Sequence, residues 1–200
     1  MAIVYGLVFL FLAFTIAVSR ITGYSIAVMV RDPNFVLDGH PIIGMQSHLG
    51  VLAWFSSACI CLFCYGLLRQ ARRVVTPSAL FFLTFGLVTL WLALDDLFLV
   101  HEYLAYDILN ISESLIYGVY MVVLAGCLVK FRRVIQASAG RLLLLAALIF
   151  FGLSVASDIV FPEESAIWRI FLEDGFKLLG IVSWSGYFIR TALARSYDSC

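Results

Sequence analysis

The residues able to do chemistry collect where long apolar segments end. Leu94-Asp95-Asp96-Leu97-Phe98-Leu99-Val100-His101-Glu102 sets acids and an imidazole at the close of one such segment. On a helix, Asp95 and Glu102 fall about 20° apart around the axis and roughly 10 Å apart along it, whereas Asp96 turns about 100° away from Asp95. The two adjacent carboxylates therefore serve different neighbours. Other segments bring comparable groups to the same end: His48, Glu113 followed by Tyr117 and Tyr120, Asp158 with Ser154 one turn below, and Glu173 spaced i,i+4 from Lys177. Helical bundles build metal sites from carboxylates and imidazoles of facing helices. Asp95, Glu102, Glu113, Asp158 and Glu173 are thus the preferred ligands of a divalent metal ion (Zn, Fe, Mn or Ca), with His48 and His101 next. An ion with an open position activates water. Asp96 and Lys177 are then the catalytic candidates, for acid/base work or for positioning substrate.

The same residues admit other chemistry. Buried Asp, Glu, His and Lys mark proton or cation paths in transporters. Lys177, with Asp95 or Glu173 as counter-ion and Trp and Tyr nearby, also suits a receptor pocket for a ligand or chromophore. Acids accumulate outside a membrane by default, and Glu113 and Glu173 stand in first turns, where the helix dipole favours a carboxylate. That bland account does not extend to Asp95, Asp96 and Lys177, each separated from the nearest loop by several apolar residues. Because the polar groups stop near mid-segment, a one-sided site is favoured over a path. The leading expectation is a metal-dependent enzyme acting on a lipid-like or other membrane-partitioned substrate.

The elements that must position these groups are apolar throughout. Of 200 residues 63% are hydrophobic and only 13% charged, with a mean hydropathy of +1.03, whereas soluble domains carry about 25% charged residues. Runs at Ala2–Val18, His48–Leu68, Ala79–Val100, Ser114–Val129, Leu142–Phe161 and Trp168–Ile189 approach the length of about 20 residues that crosses a bilayer. They are continuous and not alternating, which excludes porin-like strands. The first run has no Lys or Arg ahead of it and is read as a membrane helix, not a cleaved signal. The expected fold is an all-α, polytopic six-helix transmembrane bundle, one domain over residues 1–200.

Charge gives the orientation. Arg69, Arg72, Arg73, Lys130, Arg132, Arg133, Arg141, Arg190 and Arg195 all follow even-numbered spans, so that side is cytoplasmic and both termini lie there. The acids gather on the other side, and the candidate site faces the extracytoplasmic space of a plasma or inner membrane. With 13 basic and 13 acidic residues the net charge is zero, and no basic face for nucleic acid exists. Between the first two spans, Tyr24–Val30 is apolar and either continues the first helix or lies in the interface.

Two stretches resemble the alkaline ceramidase group of membrane hydrolases. Leu94-Asp95-Asp96-Leu97-Phe98 is similar to that family's Leu-Asp-Glu-Leu-Pro segment, and Glu173–Lys177, followed by Leu-Leu-Gly-Ile and Tyr187, is similar to its metal-binding His-x-x-x-His helix. Neither His of that pair occurs here, and Thr84 stands near the place of the family's upstream zinc-binding His. The resemblance implies a metal-dependent membrane hydrolase. Cys59, Cys61, Cys64 and Cys127 read as small apolar packing residues, with no disulfide framework. His48 and His101 as a haem pair is a lesser alternative to a metal ion.

Overall fold

Each apolar run becomes a helix, because a backbone in apolar surroundings must satisfy its own N–H and C=O groups. The computed structural model describes residues 2–40, 42–72, 76–100, 112–160 and 166–197, apart from the side chains of 2–4, 7–8, 72, 113–114, 158–160, 166–168 and 196–197. Among the described residues the chain is all-helical, without strands. In order come α1 (Ala2–Thr22), α2 (Ile26–Val30), α3 (Pro33–Val36), α4 (Met45–Arg72), α5 (Pro77–Phe98), α6 (Glu113–Lys130), α7 (Arg132–Gln136), α8 (Arg141–Val160) and α9 (Ala166–Tyr197). The six expected runs fall on α1, α4, α5, α6, α8 and α9. Among the described residues two stretches, Met45–Ala71 and Pro77–Phe98, are long and apolar enough to cross a membrane. Phe9–Thr22, Leu115–Lys130 and Arg141–Ser157 are apolar but shorter.

Backbone contacts group the chain into two units, Met1–Met45 and Gln46–Cys200. In the first, α1 stops at Gly23, whose φ of +77° a side chain would resist. The apolar stretch after it does not prolong α1. Ser25 caps α2 by accepting from the Ala27 N–H at 3.2 Å, and Asp32 caps α3 by accepting from the Asn34 N–H at 2.8 Å, with Pro33 in the first turn. Neither short helix buries a residue.

The second unit is organised around α9. Ile181, Trp184, Tyr187, Phe188, Thr191 and Ala192 form its buried stripe, at the spacing of one helix face. Trp184 meets Phe188, Phe85, Trp54 and Phe151 at ring-centroid distances of 5.2, 5.8, 5.9 and 6.3 Å. Phe81 continues the cluster through Phe85 at 4.8 Å and Phe131 at 5.7 Å. Three hydroxyls sit inside this layer with partners. Trp184 Nε1 donates to Thr89 Oγ1 at 3.1 Å, and the Ser57 and Ser185 oxygens lie 2.6 Å apart. These bonds tie α9 to α5 and to α4.

Close approach is set by Gly86, Gly180 and Gly140, the last with only 2.9 Å between its Cβ position and Tyr187. A Cβ on Gly86 would stand 2.9 Å from Leu62, and one on Gly180 would stand 2.5 Å from the Phe151 ring. Phe151 cannot swing aside, because it stacks on Trp54 at 5.6 Å. Gly180→Ala is therefore expected to destabilise the protein by about 1–3 kcal/mol through overpacking. Gly126, with nothing within 4 Å of its Cβ position, is the control. There Ala is expected to be neutral or to add up to about 1 kcal/mol of helix propensity. Thermal melts of the two variants in one detergent compare them directly; equal melting temperatures would overturn the assigned α8–α9 contact.

Candidate functional site

Thr76 starts α5 by accepting from the Ala79 N–H at 3.2 Å, and the helix ends at Leu99, whose φ of +50° is unusual for a side-chain-bearing residue. The Leu99 N–H closes on the Asp95 carbonyl. Asp95 and Asp96 thus occupy the last turn of α5, the negative end of the helix dipole. Two carboxylates there need compensation from outside the helix, and each finds it on a different side.

Asp96 turns toward α4 and α9. Lys177 Nζ donates to Asp96 Oδ1 at 2.7 Å, and Trp54 Nε1 donates to Asp96 Oδ2 at 3.0 Å. The carboxylate is 11% exposed and the lysine side chain 36%. One oxygen thus carries a charge-assisted bond and the other an indole bond, so the group is held by three helices. Asp95 turns toward α6 and is only 3% exposed. The Tyr120 hydroxyl lies beside its carboxyl, and Trp91 Nε1 donates to that same hydroxyl at 3.2 Å. The divergence of about 100° between adjacent helical positions is realised as two separate polar groups.

Beside the Asp96–Lys177 pair lies a recess of about 30 Å³, space for about two waters. Gln46, Ser47 and Gly50 line it from α4, Asp96 from α5, and Asp174, Lys177, Leu178 and Ile181 from α9. The Gln46 Nε2 atom is buried without a hydrogen-bond partner. Trp54, Phe151, Trp184 and Phe85 close the layer beneath.

A family model described as Domain of unknown function (DUF8692) matches residues 2–191. The chain belongs to that family. No curated protein and no solved structure matches it.

In this DUF8692 chain the nominated residues divide. Asp96 and Lys177 come together. Asp95 joins the separate group with Tyr120. His48 is exposed on α4 and is not among the residues lining the recess, while Glu173 is half-buried on α9, one turn before Lys177. His101 and Glu102 lie outside the described residues, as do the side chains of Glu113 and Asp158. Among the described residues no group of three or more His, Cys, Asp or Glu converges as a metal site would require. Asp96 already has both oxygens engaged by protein donors.

Trp54, Gln46 and Asp174 were not among the sequence candidates. Gln46, Gly50, Trp54, Ser57 and Cys61 follow one another at three- and four-residue steps, so a face reading of α4 extended to its first turn carries the signal. The ion pair is partly open to solvent, which limits its worth to that of a screened pair. A double-mutant cycle with Asp96→Asn and Lys177→Met is expected to give a coupling of about 1 kcal/mol. Trp54→Phe is expected to lose a further ~1–2 kcal/mol by stranding Asp96 Oδ2. Denaturant unfolding in micelles measures both, and strictly additive single variants would dismiss the pair as an energetic unit.

Proposed function

We propose that the protein is an integral membrane protein of six spans (α1, α4, α5, α6, α8 and α9) with both termini cytoplasmic. In this reading, the Asp96–Lys177 recess receives the polar end of a lipid-like, membrane-partitioned molecule from the extracytoplasmic side. The observation that carries it is the closed aromatic layer beneath the recess. Trp184, Phe85, Phe81 and Phe188 are fully buried and pack ring against ring, so the charged groups of the recess end there and the layer itself holds only neutral hydroxyls. A one-sided polar site suits binding or chemistry on a molecule that arrives from one face, and it disfavours a water-filled ion path.

The outer faces of the helices support the membrane part. Only 33% of the α4 window and 39% of the α5 window are buried inside the protein, unlike the core helix of a soluble domain. Phe63, Val122 and Leu142 are each at least 70% exposed. Apolar surface on this scale is untenable on a soluble monomer. The basic connections after the even-numbered spans support the orientation through the positive-inside rule.

Cysteine accessibility tests the topology. In a Cys200→Ser background, Asn34→Cys is expected to react with a membrane-impermeant maleimide on intact cells, and Gln136→Cys only after permeabilisation. The reverse pattern, or release of the protein by alkaline carbonate, sinks the reading. For the site, protein purified in mild detergent is expected to retain a polar lipid detectable by mass spectrometry, which Lys177→Ala loses; equal recovery from both would remove the recess from consideration.

A further inference from the structure

A second charged region lies where α6 passes into α8, at the other end of α5 from Asp96. Phe131 ends α6 with its ring turned inward, 5.7 Å from Phe81 and 6.0 Å from Phe85. α7 follows at once, with Val134 and Ile135 packed against the core and Arg132 and Arg133 exposed. Ser138 donates to the Ile135 carbonyl at 2.7 Å and stands 3.3 Å from the Tyr187 hydroxyl, while the Cβ position of Gly140 is 2.9 Å from the Tyr187 ring. Tyr187 meets Phe81 at 6.4 Å, so Phe131 and Gly140 adjoin one contact between α5 and α9. The connection from α6 to α8 is thereby a fixed corner. It carries four exposed cations, Lys130, Arg132, Arg133 and Arg141.

Among the described residues of this end there is no carboxylate to answer them. The sequence has no Asp or Glu between Asp38 and Asp95, between Glu113 and Asp158, or between Asp174 and Asp198, the stretches that reach it. The positive-inside rule accounts for Lys and Arg on a cytoplasmic side, but acids weigh little in it, so it does not require their exclusion. The helix dipole favours Lys130 in the last turn of α6 and opposes Arg141 in the first turn of α8. Apolar side chains open to the outside adjoin the cations on both helices: Val129 before Lys130 is 66% exposed, and Leu142 after Arg141 is 75% exposed. Cations bordering such a surface match an amphiphile with an anionic head. Resting on the proposed cytoplasmic placement of this end, and independent of the recess, we infer that the α6–α7–α8 corner binds an anionic phospholipid of the cytoplasmic leaflet. The lipid phosphate accepts from the guanidinium groups of Arg132, Arg133 and Arg141 and from the Lys130 ammonium, and the chains lie along Val129 and Leu142. Guanidinium forks fit phosphate oxygens. A choline head would instead bring a further cation among these four.

The test titrates the full chain, in micelles of an uncharged detergent, with phosphatidylglycerol and phosphatidylcholine of equal chain length. The glycerol lipid is expected to bind about tenfold or more tightly. Combining Arg132→Gln, Arg133→Gln and Arg141→Gln is expected to bring the two affinities together. Arg69→Gln with Arg190→Gln removes cations from the same end but outside the corner, and is expected to keep the preference. Equal affinity of the unaltered chain for the two lipids overturns the inference, as does a preference that survives the triple change or falls equally in the control. Should the triple variant not fold, Arg141→Gln decides alone: glycerol-lipid binding about fivefold weaker is expected, and unchanged affinity overturns the inference. Free glycerol phosphate is expected not to displace the lipid, and displacement at equal concentration overturns the assignment to a lipid. Binding of polyglutamate without preference between the lipids assigns the corner to an acidic protein segment and overturns it likewise. Labelling of Gln136→Cys on intact cells defeats the cytoplasmic placement, whereas absence of a lipid preference in micelles defeats only this inference.

Discussion

A carboxylate in the last turn of an apolar helix imposes the main constraint on this protein. The charge of Asp96 lies at the negative end of α5 and mostly out of water, where an unpaired ion costs several kcal/mol. Its neutralisation requires a donor from another helix. Lys177 supplies a cation and Trp54 an indole N–H, and each must approach from a different direction. At this level α4 and α9 both meet that requirement from beside α5. The bond lengths of 2.7 and 3.0 Å leave the carboxylate little freedom, so it acts first as an anchor.

That anchor is effective only because the layer below fixes the same three helices. Trp184 touches rings from α4, α5 and α8 and spends its N–H on Thr89. Phe151 fits over Gly180 with no room for a methyl group, and Leu62 fits over Gly86 nearly as tightly. Such contacts are cumulative dispersion interactions with little tolerance for volume change. They hold Lys177 one turn above Gly180 and Ile181, in register with Asp96. The polar site is therefore a consequence of apolar packing, and its one-sidedness has the same origin: the rings that position it also close it.

Asp95 shows how one dipeptide supplies two environments. Its carboxyl is nearly inaccessible and answers to Tyr120 on α6, which in turn accepts from Trp91. A metal centre would need such acids to converge, and helical geometry directs Asp95 and Asp96 apart. Sharing the adjacent acids between two interfaces instead gives α5 polar contacts on both sides, to α6 and to α4 with α9.

The sequence by itself determined the helical segments and the ends at which charge collects. Both are local matters, since an apolar run near 20 residues must form its own backbone hydrogen bonds and charged residues are tolerated only where the run stops. It also determined that Asp95 and Asp96 diverge, and that Lys177, Gly180, Trp184 and Tyr187 share a stripe, because both follow from 3.6 residues per turn. Tertiary structure decided which acid meets the lysine. Periodicity gives a face but not the neighbour that fills it, and Asp96 meets Trp54 of α4 and Lys177 of α9, residues far from it in the chain, only once those helices have packed beside α5. Tertiary structure also made Trp54 a partner of Asp96, and brought Gln46 and Asp174 to one recess. No spacing rule reaches across helices to make those pairings.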